Sequence, residues 1–565
     1  MSVLVVGGGI TGLTAAYSLG RAGIPTVLIE STPRLGGKIG TERFDGFLVE
    51  TGPDSFIGYR PAALDLAREL GLGDAIIRPT EPRTVHIRTG GRFRRLPEGM
   101  GLVLPTRLRP FVTTDLFSPI EKLRMGIDLI LPRDGLDRDV AVGTFLRRRL
   151  GDALVERLAG PLIGGIYGTP VDELSLLAVV PQLRDAERHH RSLLLASLAS
   201  GRARTGAPSG SPFVALAGGT AQLTDALADA ISTLPDVSVR TSTPLGALRR
   251  GGSAGYGARL DDGPDAHFDA VILATTGPAA AGMLAEIAPG AAERIRTIPH
   301  GSTAVVTLAY RLDQFPEDPA GHGFLVAADE PLAIDACTFS SRKWAGRAPD
   351  GTILLRCFVG ARRPEVLAGS DASVLAAAER DLVTALGVGG SPILRRILRA
   401  TNAMPHYTVG HLERVQAAIE ALADQPGLIL AGAPYRGVGL PDCIAQGRSA
   451  AAAVESLIGT IAPTLLRPTS TRSTALPSLV ADRATARLDQ VAVGLGGRVV
   501  SVGPAHEADL AHEGVRAGVH LSVMSAAPFG GPLVLRVGQA RVALARTVAR
   551  TIEVAVGDDV REAAG

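Results

Sequence analysis

The chain has 565 residues, which is too long for one hydrophobic core and predicts two to four domains. Its 46% hydrophobic and 20% charged residues are typical of a globular protein and exclude a disordered or collagen-like chain. The net charge of +2 gives no basic surface of the kind that nucleic-acid binding requires. Three cysteines, Cys337, Cys357 and Cys443, are too few for a disulfide framework and fit a reducing compartment.

Arginine dominates the basic residues. The lysines are Lys38, Lys122 and Lys343, so 55 of the 58 basic residues are arginine. Because such a bias reflects genome composition more than local chemistry, a single arginine here is weak evidence for an anion site.

No secretory or membrane-spanning segment is predicted. The chain begins at Met1-Ser2 and enters a strand at once, without a charged leader or a cleavage site. The apolar stretch 270–285 is interrupted by Gly277-Pro278 and is shorter than the ~20 residues that a spanning helix needs. We therefore expect a cytoplasmic protein and leave peripheral contact with a membrane open.

The first thirty residues predict a complete β-α-β unit. Val3–Val6 is expected to form a buried strand, residues 13–20 a helix and Thr26–Ile29 the next strand. Between the first strand and the helix stands Gly7-Gly8-Gly9-Ile10-Thr11-Gly12, whose glycines allow a tight turn, close approach of a pyrophosphate and close helix packing. Glu30 ends the second strand, where a carboxylate can accept hydrogen bonds from ribose hydroxyls. The unit predicts dinucleotide binding; the alternative is a glycine-rich turn without a ligand.

A second glycine pair follows this acid. Ser31, Arg34, Gly36, Gly37 and Lys38 lie in a segment that resembles the R-x-G-G-[RK] signature of the FAD-dependent amine-oxidase and protoporphyrinogen-oxidase superfamily. The resemblance implies that this segment surrounds the cofactor phosphates, and that the turn Gly52-Pro53-Asp54-Ser55 contacts the flavin. It therefore favours FAD over NAD.

Later segments are predicted to complete the cofactor domain, with strands at 237–240, 268–275 and 427–432 and a helix at 223–234. Val239 is expected to meet the adenine, and Gly432 ends the last of these strands. Gly439-Leu440-Pro441 begins a helix that is expected to end near Leu457. The dipole of that helix would favour negative charge on the reduced flavin.

The remaining segments predict further domains. Residues of about 86–205, helix-rich, and about 295–400, with strands such as 302–310 and 352–359, are expected to form an α+β substrate domain. The predicted fold class is α/β, a Rossmann-like FAD-binding domain (about 1–85, 206–294 and 401–460) into which this second domain is inserted.

The last hundred residues differ in composition. Residues 461–486 are rich in Pro, Ser, Thr and Arg and predict a flexible linker. Short strands at 491–493, 497–502, 519–524, 533–537, 542–545 and 552–554, with a hairpin turn at 528–532, predict a five- or six-stranded barrel over 487–557. This part resembles the FeoA domain, a small SH3-like barrel associated with ferrous iron transport, although Glu513 stands where that family prefers leucine.

Residues 1–460 resemble the monoderm bacterial coproporphyrinogen III oxidases, the water-soluble branch of the protoporphyrinogen oxidase family. The matching stretches are 52–56, 146–152, 164–168, 172–175, 190–193, 404–411 and 437–443, with His406 in place of the expected glutamine. The resemblance implies an oxidase of a tetrapyrrole in haem biosynthesis, with FAD as cofactor, dioxygen as oxidant and hydrogen peroxide as product. Some flavin amine oxidases attach FAD through a cysteine, but their S-G-G-C-Y context is absent here, so we expect non-covalent FAD. From the fused C-terminal domain alone, we also expect transient contact with ferrochelatase.

Candidate substrate and catalytic residues are few. No catalytic acid or base is predicted, because the flavin would carry the redox chemistry. Arg60 is the candidate ligand for the substrate propionates, whereas the clusters Arg92-Phe93-Arg94-Arg95 and Arg147-Arg148-Arg149 are better interpreted as solvated surface.

No metal site is predicted. Histidines 189, 190, 406 and 411 match no ligand spacing and are expected to be satisfied by hydrogen bonds, and histidines 506, 512 and 520 are expected to be ordinary surface residues. Cys443, at the start of the last helix, is expected to favour a thiolate, although the sequence context for covalent flavin attachment is absent.

Three alternatives remain open. Protoporphyrinogen IX is the alternative substrate. An amine oxidase or a carotenoid desaturase is the alternative enzyme on the same fold, although 22 aromatic residues in the whole chain disfavour the aromatic cage of an amine oxidase. The non-enzymatic alternative is a flavin- and porphyrin-binding scaffold.

Overall fold

The computed structural model divides the chain into two compact units, Met1–Arg467 and Pro468–Gly565, which are described separately. The residues it describes are 2–133, 138–203, 211–251, 255–261, 263–360 and 362–465 of the first unit, and 485–488, 496–502, 510, 515, 519–526, 533–537, 540–544 and 546–556 of the second.

A five-stranded parallel sheet forms the centre of the first unit. Its strands lie in the order Val237–Arg240, Thr26–Ile29, Val3–Val6, Ala270–Leu273 and Leu428–Leu430. All four residues of Val3–Val6 are buried, as expected for an apolar β-branched strand that is covered on both faces. The predicted strands are confirmed with one correction. Residues 268–275 do not form one strand, because Asp265–Phe268 pairs antiparallel in a separate three-stranded sheet before Ala270 enters the parallel one.

Helices cover this sheet. Ile10–Arg21 begins at the residue after Gly9, three residues earlier than predicted, and Ala221–Ser232 replaces the predicted helix 223–234. Leu440–Leu465 packs on Ile10–Arg21 so closely that a Cβ at Gly447 would lie 2.5 Å from the Thr11 carbonyl oxygen. This helix continues eight residues beyond the predicted end at Leu457 and into the predicted linker.

A second sheet has seven strands. Their order is Leu394–Pro405, His300–Arg311, Thr352–Val359, Ala336–Phe339, Gly323–Val326, His86–Thr89 and Arg92–Arg95, and only the pairing of 323–326 with 86–89 is parallel. The helix-rich prediction for residues 86–205 is therefore wrong at its start. Gly90 and Gly91 both have positive φ, which allows the two-residue turn of a β-hairpin.

Helices follow this hairpin, packed around one apolar core. They are Leu108–Thr113, Pro119–Gly126, Val142–Leu150, Asp152–Leu154, the π-helix Val155–Gly164, Gly165–Tyr167, Leu176–Val179, Pro181–His190 and Leu193–Ala203. The other helices of the unit are Pro61–Glu69, Gly277–Met283, Pro289–Arg296, Ser340–Lys343, Pro364–Leu367, Asp371–Leu386 and His411–Glu420. Smaller sheets contain Thr41–Phe44 with Phe47–Glu50, Phe213–Leu216 with Phe56–Ile57 and Ile76–Ile77, Met100–Gly101 with Leu104–Pro105, and Leu245–Arg250 with Tyr256–Leu260. No helix among the described residues is long and apolar enough to cross a membrane.

The second unit contains a six-stranded antiparallel sheet. Its strands lie in the order Thr485–Arg487, Ile552–Val556, Gly496–Val502, His520–Ala526, Leu533–Val537 and Ala540–Leu544, with a short helix Arg546–Ala549. Five of the six predicted strands are confirmed within one or two residues. The predicted strand 491–493, the turn 528–532, Glu513, His506 and His512 lie outside the described residues.

Candidate functional site

The turn after the first strand is too tight for side chains at two of its glycines. A Cβ at Gly12 would lie 1.9 Å from the Gly7 carbonyl oxygen, and one at Gly7, where φ is +109°, would lie 2.6 Å from that of Ala274. At Gly9 the reverse holds, since a Cβ there would have no described protein atom within 4 Å. Gly9 therefore borders open space in which a ligand can approach the backbone.

The second glycine pair packs against this turn. The Gly36 N–H donates to the Gly8 carbonyl at 2.8 Å, and a Cβ at Gly37 would lie 3.1 Å from the Gly9 Cα. The Arg34 guanidinium donates to the carbonyls of Leu35, Gly37 and Ile39 at 2.5–3.1 Å. Arg34 thus stabilises the loop formed by residues 35–39 through hydrogen bonds to its backbone.

Glu30 lies at the same edge of the sheet. Its carboxylate accepts from the Gly8 N–H at 2.8 Å and from the N–H and hydroxyl of Thr32 at 2.9 Å, while the Ser31 hydroxyl donates to it at 3.3 Å. The neighbouring strand places Val239 opposite Leu28, two residues before Glu30. The Glu30 carboxylate therefore holds the glycine turn in place. It does so at the carboxyl ends of the parallel strands, where dinucleotides bind in this type of sheet.

The last strand and the last helix close the other side of the turn. Gly432 has a φ of +119°, and a Cβ there would lie 3.6 Å from Thr11 Oγ1. Gly439-Leu440-Pro441 lies at the start of helix Leu440–Leu465, with Leu440 and Pro441 buried. Ile10 and Thr11 are also buried, so their side chains belong to the packed part of the first helix.

The turn at 52–55 is held by residues that are distant in the chain. Asp54 accepts from Lys343 Nζ at 3.0 Å and from Trp344 Nε1 at 3.1 Å, and Arg356 donates to the Gly52 carbonyl at 2.6 Å. Burial acts to raise the pKa of Asp54, but the Lys343 and Arg356 cations hold that pKa well below its usual range. The Asp54 carboxylate is thus committed to positioning the turn.

The remaining residues of this turn are also fixed. A Cβ at Gly52 would lie 1.9 Å from the Lys38 carbonyl oxygen, and the Pro53 carbonyl accepts from Thr220 Oγ1 at 2.8 Å. The Ser55 hydroxyl donates to Asp54 at 2.7 Å. The Gly52 contact places the turn against Lys38, the residue that directly follows the second glycine pair.

Sequence reasoning missed Lys343, Trp344 and Arg356. The one usable signal was that Lys343 is among only three lysines in an arginine-rich chain.

A cluster of basic side chains lies beside the second glycine pair. Lys38 Nζ donates to the Ala403 carbonyl, and burial lowers the pKa of Lys38 although the side chain keeps access to solvent, as expected on the wall of a cleft. His300 Nδ1 lies 2.9 Å from the Ile298 carbonyl, so this nitrogen carries the proton and Nε2 is an acceptor. The Nε2 atoms of His300 and His406 are buried without a partner among the described residues. Burial lowers the pKa of both histidines.

The prediction that the histidines are satisfied by hydrogen bonds is therefore only partly correct. His189 Nδ1 meets the Asp185 carbonyl at 2.8 Å, whereas His406 has the unpartnered nitrogen described above. His411 Nε2 meets the Tyr435 carbonyl at 3.0 Å, and its ring stacks on Tyr407 at 3.9 Å. Burial lowers the pKa of His411 to about 4. No group of three His, Cys, Asp or Glu side chains in the described part of the chain is arranged to hold a metal.

The expectation of a thiolate at Cys443 is wrong. The residue does lie in the first turn of its helix, but it is buried. Burial raises the pKa of the thiol to about 11, which outweighs the favourable helix dipole.

Arg60 and Asp442 form an ion pair at the start of the last helix. Tyr167 lies close enough to interact electrostatically with both Asp442 and Arg60. Burial raises the pKa of Tyr167 to about 12. The Arg60 charge is therefore already partly compensated by protein.

The two arginine clusters differ. Arg94 pairs with Asp115 at 2.6 Å and Arg95 with Glu98 at 3.0 Å, both near solvent, which confirms the surface interpretation there. The surface interpretation is wrong for Arg149. This residue is fully buried because Asp128 at 2.6 Å and Glu187 at 3.5 Å compensate its charge.

Comparison with known proteins supplies the chemical context. Residues 10–455 match the family described as flavin containing amine oxidoreductase, and residues 486–556 match the FeoA domain. The coproporphyrinogen III oxidase of Propionibacterium freudenreichii subsp. freudenreichii is 44% identical over 80% of this chain and 90% of its own length. That of Bacillus subtilis strain 168 is 35% identical over 79% of this chain and 96% of its own. A crystal structure from Exiguobacterium sp. 255-15, provisionally named a protoporphyrinogen oxidase, has a TM-score of 0.71 and 35% identity, covering 81% of this chain and 99% of its own.

Proposed function

The chain belongs to the flavin-containing amine oxidoreductase family and carries a C-terminal FeoA domain, and from this premise we propose that it is an FAD-dependent oxidase of coproporphyrinogen III. The observation that carries the proposal is the turn at Gly9, where the backbone borders open space beside an acid suited to ribose. Identity to relatives named for this substrate supports it.

The proposed FAD site lies at the carboxyl edge of the parallel sheet, which we take as the Rossmann-like domain. The backbone N–H groups of both glycine pairs would hold the pyrophosphate, and Glu30 would accept from the ribose hydroxyls. The full proposed set is Gly7, Gly8, Gly9, Ile10, Thr11, Gly12, Glu30, Ser31, Arg34, Gly36, Gly37, Lys38, Gly52, Pro53, Asp54, Ser55, Val239, Gly432, Gly439, Leu440 and Pro441. The binding would be non-covalent, since the protonated, buried Cys443 supplies no thiolate.

The proposed reaction removes six electrons in three two-electron steps. Coproporphyrinogen III and three O2 give coproporphyrin III and three H2O2. Bound FAD supplies the hydride acceptor and its reoxidation by dioxygen. The protein's part is to position: the Lys343–Asp54 pair fixes the turn beside the cofactor, and Arg60 would retain donors for a propionate while paired with Asp442.

The remaining parts of the proposal concern architecture. We propose that segments 86–205 and 295–400 form the substrate domain, that residues 461–486 include a linker after Leu465, and that residues 487–557 close as an SH3-like barrel. We propose transient contact with ferrochelatase through that barrel because the barrel is fused to the oxidase. We propose a cytoplasmic location because the sequence predicts no secretory or membrane-spanning segment. Ferrochelatase capture that is undiminished after deletion of the barrel would discard the contact.

Protoporphyrinogen IX is the second candidate substrate, supported by the name given to the Exiguobacterium structure. The two substrates differ in charge, with four propionates on coproporphyrinogen III and two on protoporphyrinogen IX. Cations at the site, such as Arg60 and Lys38, therefore favour the more highly charged substrate.

The proposal is tested by aerobic turnover of each candidate substrate. We expect porphyrin fluorescence and uptake of three O2 per coproporphyrin formed, with a kcat/KM for coproporphyrinogen III at least tenfold above that for protoporphyrinogen IX. The opposite preference would make protoporphyrinogen IX the substrate. Turnover of a polyamine alone would assign an amine oxidase, and flavin and porphyrin binding without O2 uptake would assign a scaffold.

A further inference from the structure

A group of buried charged side chains lies behind the turn at 52–55. We name it the buried charge cluster: Glu50, Asp54, Lys343, Arg347 and Arg356. The side chains of Glu50, Arg347 and Arg356 are at most 3% exposed, and those of Asp54 and Lys343 at most 17%. Charges that are removed from water to this extent need opposite charges to compensate them. The balance of charge within the cluster therefore indicates what it can bind or stabilise.

The cations of the cluster outnumber its carboxylates. Asp54 accepts from Lys343 Nζ at 3.0 Å, whereas Arg356 Nη1 lies 3.8 Å from the same carboxylate, beyond hydrogen-bonding distance. Arg347 lies 3.6 Å from Glu50, its ion-pair partner. In the described part of the chain, no other carboxylate forms an ion pair with these three cations. Three cations therefore face two acids, which leaves one positive charge uncompensated.

The two arginines are held mainly by uncharged groups. Arg356 donates to the Gly52 carbonyl at 2.6 Å, and Arg347 donates to the Leu216 carbonyl at 2.9 Å. The Nε atoms of both arginines are buried without a hydrogen-bond partner among the described residues. These contacts fix the positions of the guanidinium groups but do not neutralise their charge.

Neighbouring titratable groups do not remove the excess. Burial and the Lys343 cation lower the pKa of His322, so this imidazole is neutral at physiological pH. Burial raises the pKa of Glu50, which favours the uncharged form of that acid. Arg83 and Glu81, both exposed, interact with each other and leave the balance unchanged.

From this balance we propose that the buried charge cluster favours the reduced state of the flavin, through the uncompensated charge that Lys343 and Arg356 hold beside the turn at 52–55. A hydride adds negative charge to a flavin ring, and a fixed cation in a site of low dielectric stabilises that charge. This role rests on the proposed function, in which the flavin lies beside that turn. Lys343 and Arg356 act on the electronics of the cofactor from outside the residues proposed to bind it.

The test measures the midpoint potential of the bound flavin without any substrate. The holoenzyme is equilibrated anaerobically with a reference dye while the flavin absorbance near 450 nm is followed. We expect Lys343→Met, which removes the uncompensated charge, to weaken the preference for the reduced flavin at least tenfold, which makes the potential about 30 mV more negative. Asp54→Asn should shift the potential in the opposite direction, because it adds a second uncompensated charge.

Further variants separate charge from structure. Lys343→Met together with Asp54→Asn restores the wild-type balance and should return the potential close to the wild-type value, and Lys343→Arg should keep it. The matched control is Arg342→Met, which removes the neighbouring cation. Arg342 is paired with Asp318 near solvent, where water screens the charge, so the potential should not change. The thermal midpoint of each variant checks its folding.

An unchanged potential in Lys343→Met would overturn the inference. Shifts of the same sign in Lys343→Met and Asp54→Asn would also overturn it, because a disordered turn does not depend on the sign of the charge removed. If one of these two variants loses its flavin, the shift in the other decides. An unchanged potential with a raised KM for coproporphyrinogen III would assign the excess charge to a substrate propionate and equally overturn it. A wild-type chain that binds no flavin would instead contradict the proposed function itself.

Discussion

At the end of the second strand, the Glu30 carboxylate bonds to the Gly8 N–H and to Thr32, and in the proposed complex it would also accept from ribose hydroxyls. Hydrogen bonds to a charged acceptor contribute about 1.5–3 kcal/mol each. We expect Glu30→Ala to raise the Kd for FAD by about 10- to 100-fold, measured by quenching of flavin fluorescence. The matched control Glu42→Ala, at an exposed position on strand Thr41–Phe44, should leave the Kd unchanged. An unaltered Kd for Glu30→Ala would remove the acid from the site.

His411 makes stability depend on pH. Its folded-state pKa of about 4 lies below the ordinary value of 6.5, so unfolding takes up a proton between those values. The contribution of His411 is complete above pH 6.5 and is lost as the pH falls towards 4, by up to roughly 3 kcal/mol. We expect urea unfolding to report this loss in the wild-type protein between pH 7 and 4.5.

His411→Phe should flatten this pH dependence by about one proton, because phenylalanine can keep the stack on Tyr407 without titrating. His300 and His406, which also have lowered pKa values, should maintain part of the slope. His189→Phe, the same change at an exposed histidine, is measured alongside as the comparison variant. The assignment fails if the His411 variant keeps the wild-type pH dependence.

Among the elements of the fold, the glycine turn contains one glycine that we expect to be needed for cofactor binding, Gly9, and one that we expect to be needed for stability, Gly12. Gly9 has a φ of −75° and open space around it, so alanine fits the fold but occupies the region where a pyrophosphate would lie. Gly12 lies against the Gly7 carbonyl and has no room for a methyl group. We expect Gly9→Ala to keep the unfolding free energy of the apoprotein within about 0.5 kcal/mol while weakening FAD binding at least tenfold.

Gly12→Ala should behave in the opposite way and lower the unfolding free energy by roughly 1–3 kcal/mol through overpacking. Chemical denaturation and FAD titration of both apoproteins make the comparison. Equal destabilisation by the two substitutions, or normal FAD affinity in Gly9→Ala, would contradict the assignment of the open space to a ligand.

The same elements illustrate what the sequence could predict. Val3–Val6, the glycine spacing and Thr26–Ile29 are local signals, so their prediction is confirmed residue by residue. Asp54 lies 289 residues from its partner Lys343, and no local pattern records such a contact. The burial of a side chain is equally difficult to predict from local sequence. Arg149 belongs to an arginine run, which is usually exposed, and Cys443 lies at a helix start, which usually favours a thiolate. Tertiary packing buries both residues.

At the scale of the molecule, all proposed cofactor residues lie in the first compact unit, Met1–Arg467. A chain that ends after Arg467 retains the whole helix Leu440–Leu465 and is expected to keep full flavin content, with the KM for substrate within about twofold of the full chain. The flavin content is measured by flavin absorbance per protein, and the KM by steady-state turnover. Loss of flavin on truncation would place a required contact in the second unit.

In the proposed reaction the bound flavin itself receives the electrons of the tetrapyrrole, and this transfer can be observed on its own when oxygen is absent. Coproporphyrinogen III is added anaerobically to excess holoenzyme while the flavin absorbance near 450 nm is followed. We expect bleaching of three flavins for each coproporphyrin formed, because each flavin accepts two of the six electrons, and recovery of the colour when air is admitted. A flavin that stays oxidised while the protein binds the porphyrinogen would contradict it.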